Sequence, residues 1–234
     1  MAKIKVGFGS ITRKGKIENE IVVSFSKSFE KNNEIFFSVP KKVRLIVVDN
    51  EEEFKKLLKD DFHSWAKGFS YPGKIIIKSY ELAKPDELKI EYYNRMLRHE
   101  MTHVFWHANF KTWKPRWICE GFANAMNDEY QIKKNEILSV LNKYSVKSDI
   151  LDYRPLKKNL TNKFPRYPVW TNLVRYLIER EGVESILDFM KEYSKKPYRK
   201  TYDKLFLKFF NKTPTKLFME FSESIKAQKK IDEY

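Results

Sequence analysis

Three residues with hydrolytic potential fall within five consecutive positions, His99-Glu100-Met101-Thr102-His103. On an α-helix, residues four apart lie about 40° apart around the axis and about 6 Å along it. Both imidazoles therefore leave one face and can meet a single tetrahedral Zn2+. Glu100 sits beside that face, near enough to contact a water on the metal without ligating it, as a general base must. The pattern points to hydrolysis assisted by one zinc ion.

A catalytic zinc site needs a third protein ligand and an open position. His107 continues the same helical face, but it lies about 12 Å along the axis from His99, too far for both to bind one ion. It is expected beside the site or at the surface. His63 lies upstream, outside any ligand spacing. The better candidate is Glu120, in Pro115-Arg116-Trp117-Ile118-Cys119-Glu120-Gly121-Phe122-Ala123-Asn124. A carboxylate on a second helix packed across the first completes a His2Glu set and leaves a place for water. Two neutral imidazoles and one carboxylate leave the ion with net positive charge, able to acidify water and polarise a carbonyl.

These residues must be held by regular elements. Val43-Arg44-Leu45-Ile46-Val47-Val48 is a β-branched run closed by Asp49-Asn50, which predicts a buried strand and a turn, followed by a helix over residues 51–59. Lys74-Ile75-Ile76-Ile77-Lys78 predicts a second strand entered through Tyr71-Pro72-Gly73, with Gly68-Phe69-Ser70 as its hairpin partner. Residues 21–38 are ambiguous between strand and helix. Pro85 followed by Asp86 and Glu87 predicts the first turn of a helix running to about His107. Beyond it come a helical stretch over 115–130, a polar loop over 149–168 and a helix over 169–180 stopping at Gly182. Apolar spacing then predicts three more helices: 183–193, 202–210, and one opened by Thr213-Pro214. The fold class is α+β, a single catalytic domain in two parts. A small sheet-plus-helix part, residues 1–112, carries the zinc motif, and a mainly helical part spans 113–234.

Taken together, the motifs resemble those of the gluzincin clan of zinc metallopeptidases, particularly its compact peptidase-MA-like branch. The resemblance runs from His99 to about Phe221. It rests on H-E-x-x-H, on W-x-x-E-G-x-A in Trp117 to Ala123, and on Tyr167-Pro168-Val169-Trp170-Thr171-Asn172 with Gly182 downstream. Gly68 to Ile77 also looks like the segment leading into the strand that lines the cleft in that branch. The resemblance implies a zincin-like arrangement with the active-site cleft between the two parts. It further implies that Tyr167 donates a hydrogen bond to the tetrahedral oxyanion. Asn124, one turn after Glu120, would stand where some gluzincins place an acidic residue that orients the first histidine; here it is an amide. No Gly-x-Met-Glu-Asn segment, which anchors a substrate's free amine in the related aminopeptidases, precedes the zinc motif. Endopeptidase action is therefore favoured, with an extended peptide or protein substrate adding beside an edge such as Lys74 to Lys78.

Composition sets the remaining bounds. The 46 Lys and Arg against 31 Asp and Glu give a net charge of +15, spread along the chain. That charge makes nucleic acid a second candidate partner, although no zinc finger or helix-turn-helix pattern accompanies it. A catalytically silent zinc fold that binds a protein partner is a third reading. No apolar stretch approaches the length of a membrane helix and no signal-peptide core is evident near the start, so the expected location is the cytoplasm, without membrane association. The single cysteine, Cys119, excludes an intrachain disulfide and is expected to be an inert buried side chain.

Overall fold

Short apolar runs build a sheet at the start of the chain, and amphipathic helices build most of the rest. The computed structural model describes residues 1–127 and 166–232, together with 137, 141 and 151. The chain divides into two units, Met1–Lys111 and Thr112–Tyr234. The architecture is α+β, a mixed five-stranded sheet in the first unit and helices in the second. Most of the polar loop expected over 149–168 lies outside the described residues, as does the end of the stretch expected to reach Tyr130.

The strands are β1 (Ala2–Val6), β2 (Gly9–Arg13), β3 (Val43–Val48), β4 (Gly68–Tyr71) and β5 (Lys74–Lys78), in spatial order β1-β2-β3-β5-β4. The pairs β2–β3 and β3–β5 are parallel, whereas β1–β2 and β4–β5 are antiparallel hairpins. The first hairpin was not foreseen: Lys3 and Lys5 alternate with Ile4 and Val6, and their basic character hid a period of two. The expected edge also needs correction. Lys74–Lys78 lies between β3 and β4, and β4 is the outer strand. The triple isoleucine of β5 reflects that interior place, since a strand covered on both faces reads as a continuous apolar run.

The ambiguous stretch is helical: α1 (Asn19–Ile35) buries Ile21 and Phe25 and ends where Phe36 turns to extended backbone. After β3, Asn50 caps α2 (Glu51–Leu58) by accepting the Glu53 N–H at 2.8 Å. The helix expected from Pro85 starts later. Ser79 caps a one-turn helix, α3 (Tyr80–Ala83), which stops on Lys84 in the left-handed region. The long helix α4 is Lys89–Phe110, and its Glu91 carboxylate accepts the Leu88 N–H at 3.2 Å. Pro85 thus lies in the intervening turn.

The two faces of the sheet differ. One carries Ile11, Leu45, Val47, Ile75 and Ile77, all buried, and is the side on which Gly68 meets α4. Helix α1 packs along α4 through Phe29 and Phe105, whose ring centroids are 5.2 Å apart. The opposite face meets α2 through a cluster of Val48, Phe54, Leu58, Ala66 and Ile76.

In the second unit, α5 (Arg116–Ala125) is followed by α6 (Arg166–Lys195), α7 (Arg199–Phe210) and α8 (Pro214–Asp232). Gly182 breaks the helical path of α6 with φ 79°, the stop its residue type predicted. Phe189, Tyr193, Tyr202 and Phe206 form an aromatic core, and the Trp117 indole donates to the Tyr202 hydroxyl at 3.0 Å, fixing α5 on α7. Cys119 is buried in this unit.

One ionic cluster ties the first unit together. Arg13, 9% exposed at the end of β2, pairs with Asp49 at 2.6 Å, Glu18 at 2.5 Å and Glu81 at 3.2 Å. Its bond to Asp49 holds that carboxyl below its ordinary range. A carboxyl with a lowered folded-state pKa contributes stability above its unfolded value of about 3.9 and loses it as pH falls through the folded value. Asp49→Asn is therefore expected to cost about 1–3 kcal/mol near neutral pH, with the deficit shrinking as both proteins are titrated below about pH 4. Denaturant unfolding across that range checks this; a deficit that stays constant to about pH 2 would remove the ionised carboxylate from the account.

Candidate metal centre

The histidine pair is placed by the setting of α4. Leu97, Met101, Val104 and Phe105 are buried along it, which fixes the helix rotation about its axis. Polar bonds fix its position lengthwise. The Tyr92 hydroxyl donates to the Lys78 carbonyl at 2.8 Å, the Ser24 hydroxyl of α1 to Asn94 Oδ1 at 2.7 Å, and Asn109 exchanges two 2.8 Å bonds with the Ser38 backbone. His103 and Glu100, each 5% exposed, are buried on this helix, and His99 is half-buried.

The Nε2 atoms of His99 and His103 are 3.1 Å apart, with ring planes at 89°. Zn–N bonds of about 2.0–2.1 Å in a tetrahedron put two ligand atoms about 3.3–3.4 Å apart, so the imidazoles are spaced as two corners of such a site. One ligand atom from each of His99, His103 and Glu120 lies within 4.8 Å of the others, a donor set that could hold a metal ion. Two imidazoles and one carboxylate suit zinc, and three ligands leave a fourth position.

Glu100 is packed against the start of the edge strand. A Cβ on Gly68 would stand 3.0 Å from Glu100 Oε1, 3.2 Å from its Cγ and 2.9 Å from Met96 Cε. Gly68 thus meets Glu100 at close range, and a glycine inside a strand is the sequence signal of such an approach.

Within the second unit, Glu120 is half-buried on α5, one turn from Arg116, whose Nε stands 3.5 Å from Glu120 Oε1. The Arg116 side chain is 65% exposed. Burial opposes its charge, yet the Glu120 carboxylate and a hydrogen bond with Tyr167 leave its proton held more tightly than in free arginine. Arg116 thus links two predicted site residues. Helical i, i+4 spacing could have found its contact with Glu120, but nothing in the sequence signals its bond to Tyr167. Tyr167 opens α6, half-buried, with its ring 5.6 Å from that of Trp170. Asn124 follows Glu120 by one turn and is buried. Gly121 explains the glycine in the motif. A Cβ there would lie 2.5 Å from the Trp170 carbonyl oxygen and 2.6 Å from Val174 Cγ2, so only glycine lets α5 close onto α6.

The other two histidines stand apart from the clustered donors. His107 is half-buried, and burial and Lys111 lower its pKa. His63 is exposed and stacks on Trp65 with centroids 5.4 Å apart. No protein-family profile matches the chain, and no curated protein matches it in sequence. The reading of the site therefore rests on its own geometry.

Gly68→Ala is expected to cost about 1–3 kcal/mol by forcing Glu100 or Met96 to move. Adding Glu100→Ala should recover most of that cost, because the side chain in the way is gone. Unfolding free energies of the parent, both single variants and the double variant check this. Strict additivity would show that Gly68 and Glu100 do not contend for space.

Proposed function

We propose that this protein is a zinc-dependent peptidase of zincin-like arrangement, with His99, His103 and Glu120 as metal ligands and Glu100 as general base. The observation that carries the reading is the gathering of those three donors with a buried glutamate next to the first histidine. A resident zinc ion would supply Lewis-acid polarisation of the scissile carbonyl and lower the pKa of water at its open position.

The protein's own groups do the rest. Glu100 takes the proton of the attacking water and returns it to the leaving amine nitrogen, so no covalent bond to the enzyme forms. Tyr167 donates its hydroxyl hydrogen bond to the oxyanion, and Arg116 holds that hydroxyl and Glu120 in place. Asn124 would help orient His99. The edge strand β4 supports endopeptidase action. Its residues pair on one side with β5, Gly68 lies against Glu100, and an extended peptide could add along the outer side by main-chain hydrogen bonds. Among the described residues no helix is long and apolar enough to cross a membrane.

Elemental analysis should find about one zinc per chain in the parent and in Glu100→Gln, and clear loss in Glu120→Ala or His103→Ala. Absence of zinc from the metal-replete parent would overturn the metal assignment. On an unstructured protein substrate such as casein, Glu100→Gln should lower kcat by about 10²–10⁴-fold. Tyr167→Phe should lower kcat by about 10²-fold or more with zinc retained and KM little changed. Hydrolysis by Glu100→Gln at the parental rate would remove Glu100 as the base.

A further inference from the structure

None of the five strands contains an Asp or Glu, yet they carry six cations: Lys3, Lys5, Arg13, Arg44, Lys74 and Lys78. Two of the six are neutralised where they stand, Arg13 by Asp49, Glu18 and Glu81, and Lys78 by Glu51 at 2.9 Å. The other four share one face of the sheet. Register places Lys5, Ser10, Arg44, Lys74 and Tyr71 in one row across all five strands, and Lys3 and Thr12 in the next row on the same face. Lys3, Lys5 and Arg44 are exposed, and Lys74 is half-buried with its ammonium 4.3 Å from the Tyr71 ring centroid. Among the described residues no carboxylate pairs with any of the four.

This arrangement costs stability. Arg44 and Lys74 are direct cross-strand partners, and like charges so placed repel. Lysines on the outer strand β1 alone could be explained as protection of an edge. Arg44 lies on the central strand, where no such need exists.

Helix α2 covers this face at Val48 and Ile76, and Lys3, Lys5 and Arg44 stand exposed outside that cluster. We infer that this exposed cationic part of the face binds single-stranded nucleic acid through its phosphates. With about 4.8 Å per strand and about 7 Å between rows, Lys3, Lys5, Arg44 and Lys74 form a cationic patch three cations wide in one row and one in the next, suited to a chain of phosphates. Arg44 offers a planar fork of donors that matches a phosphate. Tyr71 favours nucleic acid over an acidic polypeptide. When Lys74 turns to a phosphate, the ring presents a π-face on which a base can stack, whereas that electron-rich face repels a carboxylate. Binding through phosphates is independent of sequence and steeply dependent on salt. The inference concerns the first unit alone and does not rest on the metal centre.

The test is fluorescence anisotropy of the full-length protein with a labelled oligothymidylate of about 20 nucleotides, between about 50 and 200 mM salt. Lys5→Glu with Arg44→Glu should weaken binding about 10-fold or more and flatten the log–log salt slope by about 1.4, the share of two phosphate contacts. Lys200→Glu with Lys204→Glu, the same charge change on exposed positions of α7, should change affinity less than about 3-fold. Thermal unfolding verifies the fold of each variant; if charge reversal unfolds the sheet, Lys5→Gln with Arg44→Gln replaces it and should give a smaller loss in the same direction. Equal weakening by both pairs, or no binding at about 50 mM salt, overturns the inference. So does displacement of the oligonucleotide by poly-glutamate at equal charge, which would assign the face to acidic polypeptides.

Discussion

The rotational setting of α4 is the constraint on which the candidate site depends. A helix offers one stripe to its neighbours and leaves the adjacent positions to chemistry. Here Leu97, Met101, Val104 and Phe105 are buried, and a rotation of α4 that moved His99 and His103 off their face would pull those four from the core. Burying one such side chain stabilises by about 1.5–3 kcal/mol, so the apolar stripe holds the face of α4 that carries the imidazoles in its orientation. The hydrogen bonds from Tyr92, Ser24 and Asn109 then prevent sliding along the axis, which packing alone controls less well.

Much of this was legible in residue type and spacing. The His99–His103 pair is a consequence of 3.6 residues per turn, and the structure puts their Nε2 atoms at 3.1 Å without any long-range information being needed. Strands β3 and β5, helix α2 and the break at Gly182 were equally local, because each is bounded by turn or cap residues with fixed backbone demands. What escaped was set by distant partners. The hairpin β1–β2 depends on β3 to complete it, and Lys74–Lys78 reads as a strand without revealing which of its sides is paired. Pro85 carries a helix-start signal, but Ser79 captured a short turn upstream and Glu91 capped the long helix downstream. At the site, Arg116 is visible in the sequence at helical spacing from Glu120, but its bond to Tyr167 spans some fifty residues and only the fold brings the pair together.

The glycines show how room, as much as ligand chemistry, is built into the site. Gly68 leaves space for the Glu100 side chain, and Gly121 leaves space for the α6 backbone beside the helix that carries Glu120. A methyl group at either position would intrude within 3 Å of neighbouring atoms. At Gly121 the first obstruction is backbone, which cannot step aside as the Met96 methyl can, so the glycine next to Glu120 is the less replaceable of the two. The E-G pair in the motif therefore sets a candidate ligand beside a steric requirement: the residue after Glu120 lets the helix sit close enough to α6 for Arg116 to engage Tyr167. A change that widened the α5–α6 spacing would therefore separate Arg116 from Tyr167, so that contact depends on packing within the second unit.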